Sequence, residues 1–165
     1  ENSLASNYFK DYHYADAFQG TFKKEFFVST VDVVKSFFQA TPFWVIILMK
    51  IRNFLVRWVG IKAPVVKNAK EVLNHFHGKI GDSLGGVFHV VGVTQKEILT
   101  AEKDKHLDFC LSFIVEERDS NYHITLTTVV KFNSLLGKIY FFPVKPIHKI
   151  IVKILLKKMI KQLSA

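Results

Sequence analysis

The spacing of apolar residues switches three times along this chain, between the two-residue period of a strand and the longer period of a helix. In YADAFQGTFK, Tyr14–Lys23, the residues Asp16, Phe18, Gly20 and Phe22 alternate with their neighbours, which predicts a first strand. Thr30 is a capping type with Asp32 in the turn that follows, so a short helix is expected from Thr30 through Ala40. From Pro42 to Gly60, Trp44, Ile47, Leu48, Ile51, Leu55 and Trp58 recur at three and four residues, with Lys50, Asn53 and Arg57 opposite. Pro42 suits a first helical turn and Gly60 a stop. Residues 61–86 hold Pro64 and four glycines and read as a connection, with one short helix near Asn68–Phe76 and a loop at GDSLGG.

Period two then returns. VFHVVGV (Val87–Val93), KEILTAE (Lys96–Glu102), HLDFCLSFIV (His106–Val115) and YHITLTTVVKF (Tyr122–Phe132) all read as strands, with ERDSN as a turn between the last two. The third of these sorts Leu107, Phe109, Leu111, Phe113 and Val115 to one face and His106, Asp108, Cys110 and Ser112 to the other. From Ser134 to about Leu163 the spacing is helical again, and Pro143 and Pro146 are expected to kink or break that helix. Lys145, Lys149, Lys153, Lys157 and Lys161 step by four and drift about 40° per step, forming a spiral ridge. Ile147, Ile150, Ile151, Ile154 and Leu155 oppose it. Residues 1–13 read as a loose lead-in to one domain spanning 1–165, with no internal repeat.

Composition adds weight to the apolar side. Hydrophobic residues make up 49% of the 165, and sixteen are Phe, which suggests a large aromatic core or a lined cavity. The lone cysteine, Cys110, allows no internal disulfide. Net charge is +9 and uneven: Asn121–Ala165 carries eight lysines and no acid, and Thr41–Lys70 carries six Lys or Arg and no acid. Such a balance permits anionic partners such as phospholipid, nucleic acid or an acidic ligand, and equally fits a solvated cationic surface.

The basic, apolar Pro42–Lys62 segment is not expected to span a membrane. Its longest unbroken apolar run is the seven residues Phe43–Met49, and each of Lys50, Arg52 and Arg57 would cost about 2.5–3.5 kcal/mol at mid-bilayer. A core helix and an interfacial helix both remain open. The start, ENSLASNYFK, has neither a basic n-region nor an apolar h-region, and with the single cysteine the expected location is cytoplasmic, with peripheral contact with a membrane left open; it has no Met, which leaves a removed segment and a cleaved leader open.

Candidate chemistry is sparse. His75 and His77 would share a strand face and could bind metal, but their setting is a helix end or loop and no third ligand is placed, so no metal is expected. His106 and Asp108 share a strand face, where a carboxylate could orient an imidazole for proton transfer, but that face is opposite the apolar stripe. Cys110, within an apolar strand, reads as an inert thiol. GDSLGG lacks the Lys-Thr of a phosphate loop, and no cofactor motif is present, so no cofactor is expected. The lysine ridge is interleaved with isoleucine and leucine rather than stacking aromatics, which disfavours nucleic acid and suits an anionic lipid surface met by Lys149, Lys153 and Lys157.

Several stretches carry a family resemblance: DAF (Asp16–Phe18), PFWVIILMKIRNFLV (Pro42–Val56), KHLDF (Lys105–Phe109), and Asn133, Gly137, Tyr140, Pro146 and His148 in a spaced N…G…Y…P.H pattern. In these the chain resembles a bacterial family of uncharacterised function within or near the START-like and polyketide-cyclase-like superfamily. Cys110 stands where that pattern has a basic residue. The resemblance implies an α+β helix-grip fold, a curved antiparallel sheet wrapped around the C-terminal helix with an apolar cavity between them. The expected function is non-catalytic binding of a hydrophobic small molecule or lipid in that cavity. A cyclase- or hydratase-type enzyme using the same cavity, and a peripheral membrane interaction module without ligand, are the alternatives. By alternation and helical spacing the walls would be Phe88, Val90, Leu107, Phe109, Leu111, Phe113, Ile124 and Leu126 from the strands, with Ile147 and Ile151 from the helix and the Tyr140 hydroxyl as a polar contact.

Overall fold

The computed structural model describes residues 3–23, 25–42, 69–84 and 88–165, and among these residues six strands pair antiparallel in one sheet. The strands are β1 (Tyr14–Lys23), β2 (Ser83–Leu84), β3 (Phe88–Val93), β4 (Glu97–Glu102), β5 (Leu107–Arg118) and β6 (Asn121–Phe132), in the order β1-β6-β5-β4-β3-β2. β2 forms inside the stretch expected to be loop. The helix expected at Pro42–Gly60 lies, beyond Pro42, outside the described residues.

β5 runs past its expected end. Glu116, Glu117 and Arg118 stay paired with β6, and only Asp119 and Ser120 make the turn, both with left-handed backbone at φ 51° and 61°. Two such residues twist in the sense of the flanking strands, so a tight turn replaces the wider one expected.

Residues directly opposite one another share a sheet face, so the register lays out rows. Tyr14, Val130 and Phe109 form one row, Asp16, Thr128, Leu111, Thr100 and Val90 the next, and Phe18, Leu126, Phe113 and Ile98 a third. This is the face gripped by helices. Among the described residues four helices flank the sheet: α1 (Leu4–Tyr8), α2 (Thr30–Gln39), α3 (Ala69–Asn74) and α4 (Leu135–Ser164). Val33, Val34 and Phe37 of α2 and Val152, Leu155, Leu156 and Met159 of α4 bury themselves against Phe113, Ile124 and Leu126. The fold is the α+β helix-grip arrangement, a sheet closed over one long C-terminal helix.

Two glycines permit the close approach. A Cβ on Gly20 would collide with Ile160 of α4, and one on Gly137 would collide with the backbone carbonyl of His106. Ser134 caps α4, accepting from the Gly137 N–H at 3.2 Å. The cap of α2 is Ser29 rather than Thr30, and Asp32 completes a reciprocal capping box.

Three further expectations need correction. Pro143 and Pro146 do not break α4, which is one helix through both. The carbonyls deprived of donors are those of Ile139 and Phe142, four residues earlier, and these residues are exposed, where water can serve instead. Ile147 and Ile150 point outward, at 44% and 58% exposure, because the buried side of α4 follows Phe141, Val152, Leu155, Leu156 and Met159 instead. The lead-in is not loose. α1 docks on the outer sheet face, where Ala5 and Phe9 pack with Leu99, Ala101, Cys110 and Val129. Cys110 and Ser112, on this outer face, are fully buried.

Candidate functional site

On the helix-facing side of the sheet the structure gathers a small polar group among mostly apolar side chains. Asp16 enters from β1 and Thr128 lies opposite on β6. The Tyr14 hydroxyl, two residues along the same strand face, donates to Asp16 Oδ2. His148 arrives from α4, its Nε2 3.6 Å from Asp16 Oδ1. That separation is an ion-pair contact for a protonated imidazole but too long for a hydrogen bond. Neither Asp16 Oδ1 nor His148 Nε2 has a hydrogen-bond partner among the described residues, and both atoms are sealed from solvent. The Asp16 side chain as a whole is only 10% exposed.

Electrostatics favour the ionised carboxylate. Burial pushes the Asp16 carboxyl up, but His148, the Tyr14 hydroxyl and Thr128 together outweigh it and hold the group below its ordinary value. The Tyr14 hydroxyl is driven upward by burial first and then by its bond to the Asp16 carboxylate and that group's charge. Two lysines add positive potential: Lys145 Nζ lies 5.0 Å above the Tyr14 ring and Lys153 Nζ 5.6 Å above the Phe18 ring.

Beside this group the same face carries an aromatic row. Phe38 of α2, Phe88 of β3 and Phe109 of β5 pack edge to face, with centroids 5.1 Å and 5.6 Å apart along the row. All three are only half-buried. Behind them Phe37 and Phe113 close the core, 5.3 Å apart. Glu102 pairs in register with Phe109, so a half-buried carboxylate borders the row; burial raises its pKa, opposed by His89 at 3.3 Å.

Of the residues expected to line a cavity, Val90, Leu111, Phe113, Ile124 and Leu126 are buried on the gripped face, and Phe88, Leu107, Phe109 and Ile151 are half-buried. Tyr140 is half-buried on α4, whereas Ile147 faces away. His106 and Asp108 are engaged separately. His106 Nδ1 lies 2.9 Å from Ser134 Oγ, and Asp108 Oδ1 accepts from Asn133 Nδ2 at 2.8 Å and from the Asp104 N–H at 3.1 Å. These bonds fasten the start of β5 to the start of α4. Burial pushes the Cys110 thiol up to about 11, leaving it protonated and unreactive at neutral pH. No cluster of three or more metal-ligating side chains occurs among the described residues. None of their helices is long and apolar enough to cross a membrane.

The polar group of Tyr14, Asp16, Thr128 and His148 was not anticipated as a site. A signal for it existed: alternation places Asp16 on the same stripe as Phe18 and Phe22, an odd position for a carboxylate without a partner. His148 is four residues before the buried Val152 on α4.

No curated protein matches the chain in sequence. The crystal structure of Ara h 8.0201 is similar over 89% of this chain and 99% of its own, at 10% identity and a TM-score of 0.33, a likeness too loose to carry weight for function. A family match covers most of the length, residues 8–155, which includes both the Tyr14–Asp16–His148 group and the aromatic row. The chain belongs to that family, DUF2867, whose members are described as proteins of unknown function.

Proposed function

We propose that this protein binds a hydrophobic small molecule or lipid, without catalysis, on the helix-facing side of its sheet. The observation that carries this reading is the row Phe38–Phe88–Phe109: three rings from three elements, packed on one another and still only half-buried. Apolar surface at the mouth of a core suits an apolar guest. Asp16 and His148, each with one unpartnered atom sealed from solvent, would hold the guest's polar end once their side chains move apart, since a hydroxyl can donate to a carboxylate and accept from an imidazole N–H at once. Phe109 is two strands from β1, at about 4.8 Å per strand, so the aromatic and polar parts are within reach of one amphiphile about 10 Å long. Native mass spectrometry of protein purified from its source tests the reading. A co-purified apolar species, lost from Phe88→Ala protein, supports it; unliganded protein together with no uptake of fatty acid or sterol added in solution overturns it.

The Tyr14–Asp16–His148 group favours a second reading, an acid–base enzyme of cyclase or hydratase type. A buried carboxylate 3.6 Å from an imidazole supplies the parts such chemistry uses. A guest recovered chemically changed by wild-type protein but unchanged by His148→Gln protein would select this reading over simple binding.

A further inference from the structure

The outward side of α4 changes chemistry halfway along. Leu135, Ile139, Phe142, Pro146 and Ile150 are spaced by four, three, four and four residues, which at about 100° per residue keeps them within one narrow line on the helix. All of them point away from the core, with Leu135 72%, Ile139 59%, Phe142 83% and Ile150 58% exposed. The same line continues as Lys153, Lys157 and Lys161, all exposed. Lys138, Lys145 and Lys149 run along one flank of the apolar part. The first half of α4 therefore presents apolar side chains both inward, through Phe141, and outward. A single exposed Leu needs no explanation, but an aligned stripe marks a contact surface.

Charge decides what it contacts. No acidic residue occurs between Asn121 and Ala165, against eight lysines. The complementary partner is anionic on its surface and apolar just beneath, which describes a phospholipid layer. Lysine stems can lie along such a boundary with their ammonium groups at the phosphates. The prolines set the depth. The Ile139 and Phe142 carbonyls lack helical donors, which is costly in hydrocarbon but not at the hydrated headgroup level.

We infer that residues 135–150 of α4 dock in the plane of an anionic phospholipid bilayer, with Ile139 and Phe142 at the acyl boundary and Lys145, Lys149 and Lys153 against the headgroups. The apolar stripe itself lies on the side of α4 away from the candidate ligand site, and Lys145 and Lys153, over the Tyr14 and Phe18 rings, border both.

Co-sedimentation of the full chain with vesicles tests it, using phosphatidylcholine alone and phosphatidylcholine mixed with phosphatidylserine. Wild type is expected to pellet with the mixed vesicles only, and glycerophosphate in solution should not release it. Ile139→Ser/Phe142→Ser should lower the partition coefficient by about tenfold or more, and Lys145→Glu/Lys149→Glu should do so at low salt. These side chains are exposed, so circular dichroism should show folded variants. Failure of wild type to pellet, equal pelleting with neutral vesicles, or unchanged pelleting of Ile139→Ser/Phe142→Ser would overturn the inference. A wild-type dimer that ignores vesicles and falls apart in that variant would assign the stripe to a second copy of the chain instead.

Discussion

Glu97 and Asp16 are both carboxylates that the sheet takes out of water, one on each face, and they are provided for differently. Glu97 is 5% exposed on the outer face and accepts from Ser112 Oγ at 2.6 Å, Ser3 Oγ at 3.0 Å and the Leu4 N–H at 2.8 Å. Its lone pairs are occupied by α1 and the neighbouring strand. Asp16, on the gripped face, has one oxygen bonded to Tyr14 and the other facing His148 without a hydrogen bond. A fully bonded buried carboxylate is a fastening. One left partly bonded, beside an imidazole and an aromatic row, is the better place for a guest.

The largest expected effect is at the fastening. Glu97→Ala should cost about 3 kcal/mol or more, because three donors lose a charged acceptor inside the protein. Urea denaturation measures the loss, and hydrogen exchange should show α1 opening first. A cost below about 1 kcal/mol would mean that Glu97 is no more a fastening than Asp16.

Asp16→Asn should cost less, about 1 kcal/mol, since Tyr14 keeps an acceptor and only the charge beside His148 is removed. The acid sensitivity should change more clearly. The folded carboxyl lies below its unfolded value, so its contribution is present above the unfolded pKa, about 4, and disappears as pH falls through the folded pKa. Asp16→Asn should therefore flatten the acid limb of stability against pH. An unchanged limb would show that the pair is not ionic in solution.

Tyr14 gives the opposite sign. Its folded pKa is raised, so its contribution is complete below the unfolded value, about 10, and fades as pH rises beyond it. Tyr14→Phe should remove that alkaline loss. The smallest effect expected is at a cap far from either carboxylate: Ser29→Ala should cost about 1 kcal/mol by breaking the capping box, with no change in either pH limb.

Local pattern made most of the sheet legible in the sequence. β1 begins and ends where alternation placed it, and Phe113 and Leu126 sit opposite one another as their shared stripe implies. The extra length of β5 was hidden because Glu116, Glu117 and Arg118 look like turn residues, and only the left-handed pair Asp119–Ser120 shows how tight the turn is. The docking of α1 was not legible. Five residues set no period, and their anchor, Glu97, lies more than ninety residues away in sequence. Asp16 and His148 are likewise brought together only by the grip of the last helix on the first strand. The continuity of α4 through two prolines depends on which side of the helix faces water, a tertiary fact.

The central claim is that the gripped face accepts an apolar guest at Phe38, Phe88 and Phe109. Titration of wild type and Phe109→Trp with the fluorophore anilinonaphthalene sulfonate tests it most directly. The account predicts saturable emission at one site in wild type, and its loss in Phe109→Trp protein whose urea midpoint is unchanged. No saturable emission in wild type, with Phe109→Trp destabilised by about 1–3 kcal/mol through overpacking, would contradict it and show a filled core.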